Sequence, residues 1–352
     1  MPVNLERTQR VMKLVPSLKR PKTFFLDNFF PNVRNEESEE VHVDLIIGNR
    51  RAAPFVAPGA QAKAMRLDGY KTRTFTPGCL KPMVEINPRI ALRRMAGERI
   101  GGELSAQNRY DRATVMATNE IHVLIQRRLE HMAVGAVREN QTVVMGNNGP
   151  VTIDFFRDSQ LYLELAGTSR WGQADADPLG DVEAMGERVH RIEGAVVTDI
   201  VMDPDAWAKL REDPRMEKLL DIRRAPDSTA SLGPQNYVRG VNMVAETGQY
   251  RFWVYSDFTD VITVNADGTV DVTEGVPVLP SGTVIGIGAD LEGERIFGAI
   301  QDTAAIRTGH AASELFMKVI EEDNPGRDFL LGMSSPLVVP TRPNASFSMK
   351  VL

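Results

Sequence analysis

The strongest constraint in this sequence is the distribution of proline over its first 100 residues. Nine of the chain's 21 prolines fall there, at positions 2, 16, 21, 31, 54, 58, 77, 82 and 88. Proline fixes φ and disfavours helical backbone in the residue before it, so this stretch favours extended chain. A structureless segment this long is uncommon inside a compact monomer. It needs a second surface to lie on, and other copies of the same chain are one physical solution.

Composition narrows the class of protein further. The 352 residues suffice for one large or two ordinary domains, and the net charge of -6 argues against a sequence-specific nucleic-acid binder. The single cysteine, Cys79, excludes a disulfide within the chain and a thiolate metal cluster. Met1 to Lys22 lacks the apolar core of a secretory signal, and no run approaches the roughly 20 apolar residues of a membrane helix. We therefore expect a soluble protein made in a reducing compartment.

Charge is distributed unevenly along the N-terminal third. Residues 1–26 and 63–99 carry an excess of basic side chains, and between them lies an acidic run of Glu36, Glu37, Glu39, Glu40 and Asp44. Such runs are compatible with a solvated surface. They are equally compatible with segments that dock on oppositely charged neighbours.

Periodicity predicts an α+β protein. Apolar and polar residues alternate within Thr72 to Arg94, which predicts a long hairpin with a turn at Pro77-Gly78 and a bend at Pro88. Ser105 to Glu139 repeats apolar residues at three- and four-residue steps, which predicts one helix of roughly 30 residues. Residues 142–155 read as a hairpin around Gly146 to Pro150.

A second unit is predicted to begin near Asp181. It combines a helix at 182–192, a buried strand at 196–202 and a helix capped by Asp203-Pro204 with several later strands. The tract 224–237 is predicted to be a mobile loop, and Asn265 to Gly268 a turn. Residues 315–351 return to β-structure.

The search for catalytic chemistry finds little in the sequence. Cys79 has no histidine nearby in sequence to act as its base. His122 and His131 lie nine residues apart on the long helix, so they point to opposite faces and cannot share a metal. Asp175, Asp177 and Asp181 lack the ligand spacing of a calcium loop and are expected to be a solvated loop, although a divalent ion at a subunit contact is an alternative. We expect no catalytic, cofactor or metal site and no enzymatic activity.

Several motifs resemble one known family. They are Phe75-Thr76-Pro77-Gly78-Cys79-Leu80-Lys81-Pro82, Glu85-Ile86-Asn87-Pro88 and Leu92-Arg93-Arg94, with weaker likenesses at Phe24 to Phe30, Asp203-Pro204 with Trp207, Asp221 to Arg224 and Ser335-Pro336-Leu337. Together they resemble the lambda-type major head (capsid) protein family of tailed phages. The first block is fairly specific, and the others matter because they occur in the same order.

The resemblance implies the Hong Kong 97-type phage capsid fold, with an N-terminal arm, an extended β-hairpin loop, a long spine helix, and peripheral and axial domains. The implied ranges are an arm at 1–60, an extended loop at 61–104, a peripheral domain at 105–180 completed by C-terminal strands at 301–352, and an axial domain at 181–300. Residues 1–23 match less well and are expected to be disordered or to face the interior of the shell.

The resemblance also implies a function and partners. The chain would self-assemble, as pentamers and hexamers, into the icosahedral head shell of a virion in the host cytoplasm, and would enclose DNA non-specifically without a membrane. A separate scaffolding protein and a portal are further implied partners, with a decoration protein left open. Lys71 and Lys81 lie in the loop, but no cross-link is expected. The implied subunit contacts are Phe24, Phe29, Arg73, Lys81, Arg89, Arg93 and Arg94.

Two alternatives stay open at this point. An encapsulin-like nanocompartment would keep the fold and enclose an enzyme cargo in place of DNA. A soluble enzyme with an unrecognised site would be a monomer with a formed pocket and clustered titrating residues.

Overall fold

The structure, a computed structural model, describes residues 3–18, 21–46, 70–94, 98, 104–146, 149–216, 235–238, 240–264, 270–324 and 326–352. The helices are α1 (Leu5–Leu14), α2 (Phe25–Phe29), α3 (Pro88–Leu92), α4 (Ala106–Arg138), α5 (Pro178–Ile192), α6 (Pro204–Leu210) and α7 (Thr303–Arg307). None of these described helices is long and apolar enough to cross a bilayer.

The strands fall into three groups along the chain. Before the long helix lie β1 (Asn32–Asn35), β2 (Val41–Ile46), β3 (Tyr70–Phe75) and β4 (Met83–Ile86). After it come β5 (Gln141–Gly146), β6 (Gly149–Asp154), β7 (Tyr162–Glu164), β8 (Val197–Met202), β9 (Gln235–Val238), β10 (Val241–Glu246), β11 (Arg251–Tyr255), β12 (Phe258–Val264) and β13 (Val270–Pro277). The last are β14 (Thr283–Gly288), β15 (Gly293–Phe297), β16 (Phe316–Asp323), β17 (Gly326–Met333), β18 (Pro336–Pro340) and β19 (Ser346–Lys350).

A seven-stranded sheet forms the centre of the second half, in the order β7-β19-β14-β8-β11-β10-β9. Strand β14, in the interior of this sheet, is buried along its whole length, as expected for a strand covered on both faces. Asp203 caps α6 as predicted, because its carboxylate accepts the N–H groups of Asp205 and Ala206. The α+β class predicted from the sequence is confirmed.

The long helix α4 is the spine of the molecule, as its periodicity predicted. Ser105 caps its start by accepting the N–H of Asn108, and its 33 residues span about 50 Å. Two three-stranded sheets, β1-β15-β18 and β16-β17-β4, contribute strands that pack against it. The hairpin predicted after it is confirmed as the antiparallel pair β5 and β6.

The long hairpin predicted for Thr72 to Arg94 is wrong. Strand β3 pairs with β2, which precedes it by some 30 residues, whereas β4 pairs with β17 near the other end of the chain. Pro77 and Gly78 are buried in the connection, and Pro88 is the first residue of α3, not a bend. Alternation located β4, but Ile90 and Leu92, which continue the same pattern, lie on helix α3. The pattern also could not identify the partners of β3 and β4, because alternation along one strand does not say which strand lies beside it.

Disorder, one of the two expectations for residues 1–23, is wrong for the described residues of this range, whereas a position facing the shell interior stays a prediction. Helix α1 lies along the outer edge of β16, and Val3 forms a β-bridge with Ile320. Residues 21–30 then enter the core, where Phe24, Phe25, Leu26 and Phe30 are buried. Of the remaining loop predictions, Asn265 to Gly268 lies outside the described residues. So does 224–237, except for its last residues, which begin β9.

Candidate subunit interface

Helix α3 and the two residues that follow it display three of the predicted contact residues. Asn87 caps the helix by accepting the N–H of Arg89, and Pro88 stands at its first position, where no N–H donor is needed. Arg109 of the spine donates to the carbonyl of Ala91 at 3.4 Å and so fixes α3 against α4. Arg89, Arg93 and Arg94 are exposed on this helix and just after it. We call these three residues the basic shelf.

Exposed apolar side chains lie on α3 and at the far end of the preceding strand β4. Leu92 on α3 is 76% exposed and Ile90 is 39% exposed, while Met83 of the neighbouring strand β4 is 57% exposed. Strand β4 lies at an edge of its three-stranded sheet. A surface that combines exposed apolar side chains with cations is typical of a protein contact.

The remaining two basic candidates lie elsewhere. Arg73 on β3 is exposed and holds its guanidinium 4.6 Å from the centre of the Phe156 ring, a cation–π contact. Lys81 is exposed beside Leu80, at the opposite end of β4 from α3. The structure therefore does not bring the five basic residues into one cluster.

The acidic run forms a second exposed surface, between β1 and β2. The N–H of Glu36 donates to the carbonyl of Phe297 at 2.8 Å, and the N–H of Ala299 donates to the carbonyl of Ser38 at 3.0 Å. These bonds hold residues 36–40 against the end of β15. We call residues 36–40 the acidic turn. Glu37, Glu39 and Glu40 are exposed there.

The two aromatic candidates lie inside their own subunit. Phe24 is buried and packs 5.1 Å from the Trp253 ring, and Phe29 is half-buried against Phe24 at 5.6 Å. These contacts fasten the arm to the seven-stranded sheet through β11. Of the predicted contact residues, the basic ones therefore remain candidates for contacts between subunits.

A buried carboxylate on the spine helix anchors this arm. Glu130 of α4 accepts the N–H groups of Phe24 at 3.0 Å, Phe25 at 2.8 Å and Leu26 at 3.1 Å. Tyr255 of β11 also donates its hydroxyl to Glu130, at 3.4 Å. Burial raises the pKa of Glu130 to about 7, against the lowering effect of the three N–H donors. Burial and the Glu130 charge raise the pKa of Tyr255 as well.

The sequence contains a pattern from which the burial of Glu130 could have been predicted. His122, Gln126 and Glu130 recur at four-residue steps, and all three are buried. A row of polar residues on a helix that also carries a wide apolar face can mark buried hydrogen-bonding positions. The sequence shows this row but not the arm that covers it, because residues 24–26 are more than 100 positions away.

The structure shows the surroundings of Cys79 and of two of the aspartates considered for chemistry. Desolvation raises the pKa of the Cys79 thiol, with the Lys81 charge acting in the opposite direction, and a raised pKa disfavours the nucleophilic thiolate. Asp177 caps α5 by accepting the N–H of Gly180, and Asp181 accepts the indole N–H of Trp171 at 3.0 Å. Within the described part of the chain, no group of three or more histidine, cysteine, aspartate or glutamate residues is arranged to hold a metal ion.

The fold defines the class of protein first. A capsid protein of a prophage of Escherichia coli CFT073 superposes with a TM-score of 0.73 at 23% sequence identity, covering 100% of both chains. The capsid of Ralstonia phage GP4 matches with a TM-score of 0.50. The predicted Hong Kong 97-type capsid fold is thereby confirmed.

The sequence then gives the particular family. The model of phage major capsid protein E matches residues 7–351, and the chain belongs to this family. The major capsid protein of Escherichia phage lambda is 28% identical over 334 residues, covering 93% of each chain. That of Escherichia phage N15 is 28% identical over 332 residues, again covering 93% of each. The predicted resemblance to lambda-type head proteins is confirmed: the chain is a major capsid protein of a tailed phage, and its location is the virion shell.

Proposed function

We propose that this major capsid protein closes an icosahedral head by packing copies of itself as pentamers and hexamers around DNA. The observation that carries the proposal is the match of the capsid family model over residues 7–351. The exposed basic shelf and acidic turn support it, because surfaces of opposite charge can dock on neighbouring copies of the chain. Self-assembly is the function of the molecule, and no catalytic step is assigned to it.

We further propose the domain division that the family resemblance implied. The arm is 1–60, the extended loop 61–104, the peripheral domain 105–180 with 301–352, and the axial domain 181–300. The seven-stranded sheet joins the last two, because β7 and β19 come from the peripheral ranges and β14 and β8 from the axial range. The boundary then crosses a hydrogen-bonded sheet, so the two domains of one subunit are expected to move as one body.

The proposed contacts are individually weak. Arg73, Lys81, Arg89, Arg93 and Arg94 would meet acidic groups of neighbouring subunits, and each exposed ion pair contributes about 0–1 kcal/mol. Stability would come from repetition over many copies and from apolar area buried at about 25 cal/mol per Å². Weak individual contacts permit misplaced subunits to leave before the shell closes.

The remaining proposed partners follow from charge and from the family. A subunit with net charge -6 offers little general attraction to phosphate, so packaged DNA would be held by confinement. A separate scaffolding protein and a portal are proposed to guide closure, with a decoration protein as an optional addition. Assembly would take place in the host cytoplasm.

Negative-stain electron microscopy of the purified chain, beside size-exclusion chromatography, tests the proposal. Closed shells, tubes or five- and six-membered rings are the expected result. A persistent monomer or dimer, even with a scaffolding partner supplied, would contradict it.

A further inference from the structure

Among the residues that the structure describes, opposite charges are left unpaired on two rigid surfaces of the subunit. Arg34 forms ion pairs with Glu36 at 3.2 Å and Glu294 at 3.8 Å, so it neutralises the base of the acidic turn. Glu37, Glu39 and Glu40 form no ion pair within the described part of the chain. The acidic turn therefore presents three uncompensated carboxylates.

The basic shelf has a matching excess of positive charge. Glu98, whose backbone carbonyl contacts the shelf, is bound through its carboxylate by Arg109 at 2.7 Å and is buried. The Arg94 guanidinium donates to the carbonyl of Glu98, which is an uncharged group. Arg89 and Arg93 form no ion pair with any described residue. The basic shelf therefore presents three guanidinium groups, equal in number to the free carboxylates of the acidic turn.

Both surfaces also have the apolar surroundings and the rigidity that a contact needs. Val33, on the edge strand β1 beside the acidic turn, is 39% exposed, and Leu92 beside the shelf is 76% exposed. Backbone hydrogen bonds fix the turn to the end of β15, and Arg109 fixes α3 to the spine. Docking two surfaces that are already ordered costs little conformational entropy.

We propose that the acidic turn of one subunit docks on the basic shelf of an adjacent copy, so that Glu37, Glu39 and Glu40 face Arg89, Arg93 and Arg94. This inference rests on the proposed shell function and names the partner surface for part of its basic residues. The contact is heterologous, since one subunit contributes the turn and its neighbour contributes the shelf. Such head-to-tail contacts close into rings when the rotation between copies permits.

Charge reversal of the full chain provides the test. The turn variant carries Glu37→Lys and Glu39→Lys, the shelf variant carries Arg89→Glu and Arg93→Glu, and the swap variant carries all four changes. Each of the first two places like charges across the contact, whereas the swap restores opposite charges. We expect either reversal alone to raise the protein concentration needed for assembly roughly tenfold or more, and the swap to restore it to within about threefold of the wild type.

A matched control distinguishes the loss of this contact from a general effect of net charge on assembly. Glu246→Lys with Glu274→Lys changes the net charge as the turn variant does, at two exposed acids on β10 and β13. This control is expected to assemble like the wild type. A control that assembles as poorly as the turn variant would overturn the proposal, because net charge would then explain the loss. A swap that fails to assemble, although circular dichroism shows it folded, would also overturn it.

Two further outcomes identify what has failed. If shelf reversal leaves assembly unchanged but lowers the DNA retained by the particles, the shelf binds phosphate and the docking proposal is wrong. If the wild type forms shells and every reversal variant forms them equally well, this inference fails while the shell function stands. Absence of any shell from the wild type, even with a scaffolding partner, would instead contradict the proposed function itself.

Discussion

At the scale of single residues, two opposing effects act on the carboxylate of Glu130. Its carboxylate receives three backbone N–H donors, which favour the charged form, yet it lies in the core, which favours the neutral form. Burial is the stronger effect, and it raises the pKa to about 7 from an ordinary value of 4.5. The folded subunit therefore holds a proton there at pH values where the unfolded chain has lost it.

This proton makes stability depend on pH. Because the folded pKa exceeds the unfolded one, the contribution of Glu130 is fully present below about pH 4.5 and is lost as pH rises through about 7. This difference between the folded and unfolded pKa of Glu130 corresponds to about 3 kcal/mol in the free energy of unfolding. Urea unfolding of the unassembled subunit at pH 5 and pH 8 checks it. A stability difference that persists unchanged in Glu130→Gln would assign the pH dependence to other groups.

Substitution of Glu130 by glutamine should itself destabilise the subunit at pH 5. The amide oxygen can still accept from Phe24 and Phe25, but the amide nitrogen cannot accept from the N–H of Leu26. An unsatisfied buried donor costs about 1–3 kcal/mol. Glu120→Gln, on an exposed position of the same helix, is the matched control and should leave the free energy of unfolding unchanged within about 0.5 kcal/mol.

At the scale of elements, α1 replaces a missing strand along the edge of β16. The N–H of Asn4 donates to the carbonyl of Val319, the N–H of Val319 donates to the Thr8 hydroxyl, and the N–H of Met317 donates to the Met12 sulfur. Four helical residues advance about 6 Å and two strand residues about 6.6 Å. The two repeats match, so the helix satisfies an edge that would otherwise remain open to foreign strands.

Replacement of Thr8 by valine should weaken the attachment of α1 to β16. Valine keeps the shape of the side chain but leaves the buried N–H of Val319 without its acceptor, at a cost of about 1–3 kcal/mol. Hydrogen exchange of the Val319 amide should quicken by about tenfold or more. Thr23→Val, in the same arm but without a comparable role for its hydroxyl, should leave that amide protected. Equal exchange in both variants would show that α1 does not protect the edge.

The spine and strand β17 approach so closely at Gly332 that no side chain fits between them. A Cβ there would lie 2.3 Å from the Cγ2 atom of Ile121, a branched atom close to the helix backbone. Gly332→Ala should therefore destabilise the subunit by about 1–3 kcal/mol in thermal or urea unfolding. Gly248→Ala is the matched control, since a Cβ there meets nothing within 4 Å. A neutral Gly332→Ala would mean that the sheet moves off the spine without cost.

The elements also show what local sequence can and cannot predict. The spine α4 and the hairpin of β5 and β6 were predictable, because their hydrogen bonds join residues close in sequence and leave a period or a turn signal. The pairing of β4 with β17 was not, since its partners lie more than 240 positions apart. Glu130 was missed for the same reason: a polar residue on the spine acquires its meaning from an arm that binds it from far along the chain.

At the scale of the whole molecule, the contact candidates were identified as exposed charges but not as a matched pair of surfaces. The acidic run and the basic segment are visible in the sequence, and either could be solvated surface. Only the structure shows that Arg34 and Arg109 neutralise the neighbouring acids, so that equal numbers of opposite charges remain on the turn and on the shelf. The sequence therefore shows where charged surfaces lie. The charges that find no ion-pair partner inside the subunit indicate which of these surfaces contact a neighbour.

Added salt should shift the protein concentration needed for assembly in opposite directions for the wild type and for the turn and shelf variants. Raising the ionic strength from 0.1 to 1 M shortens the screening length from about 10 to about 3 Å. Screening weakens the attraction between turn and shelf in the wild type, so its assembly concentration should rise. It weakens repulsion in the turn and shelf variants, so theirs should fall, while the swap should follow the wild type. Light scattering against protein concentration at each salt measures this. Parallel shifts in all four proteins would show that salt acts on apolar burial alone and that turn and shelf do not meet.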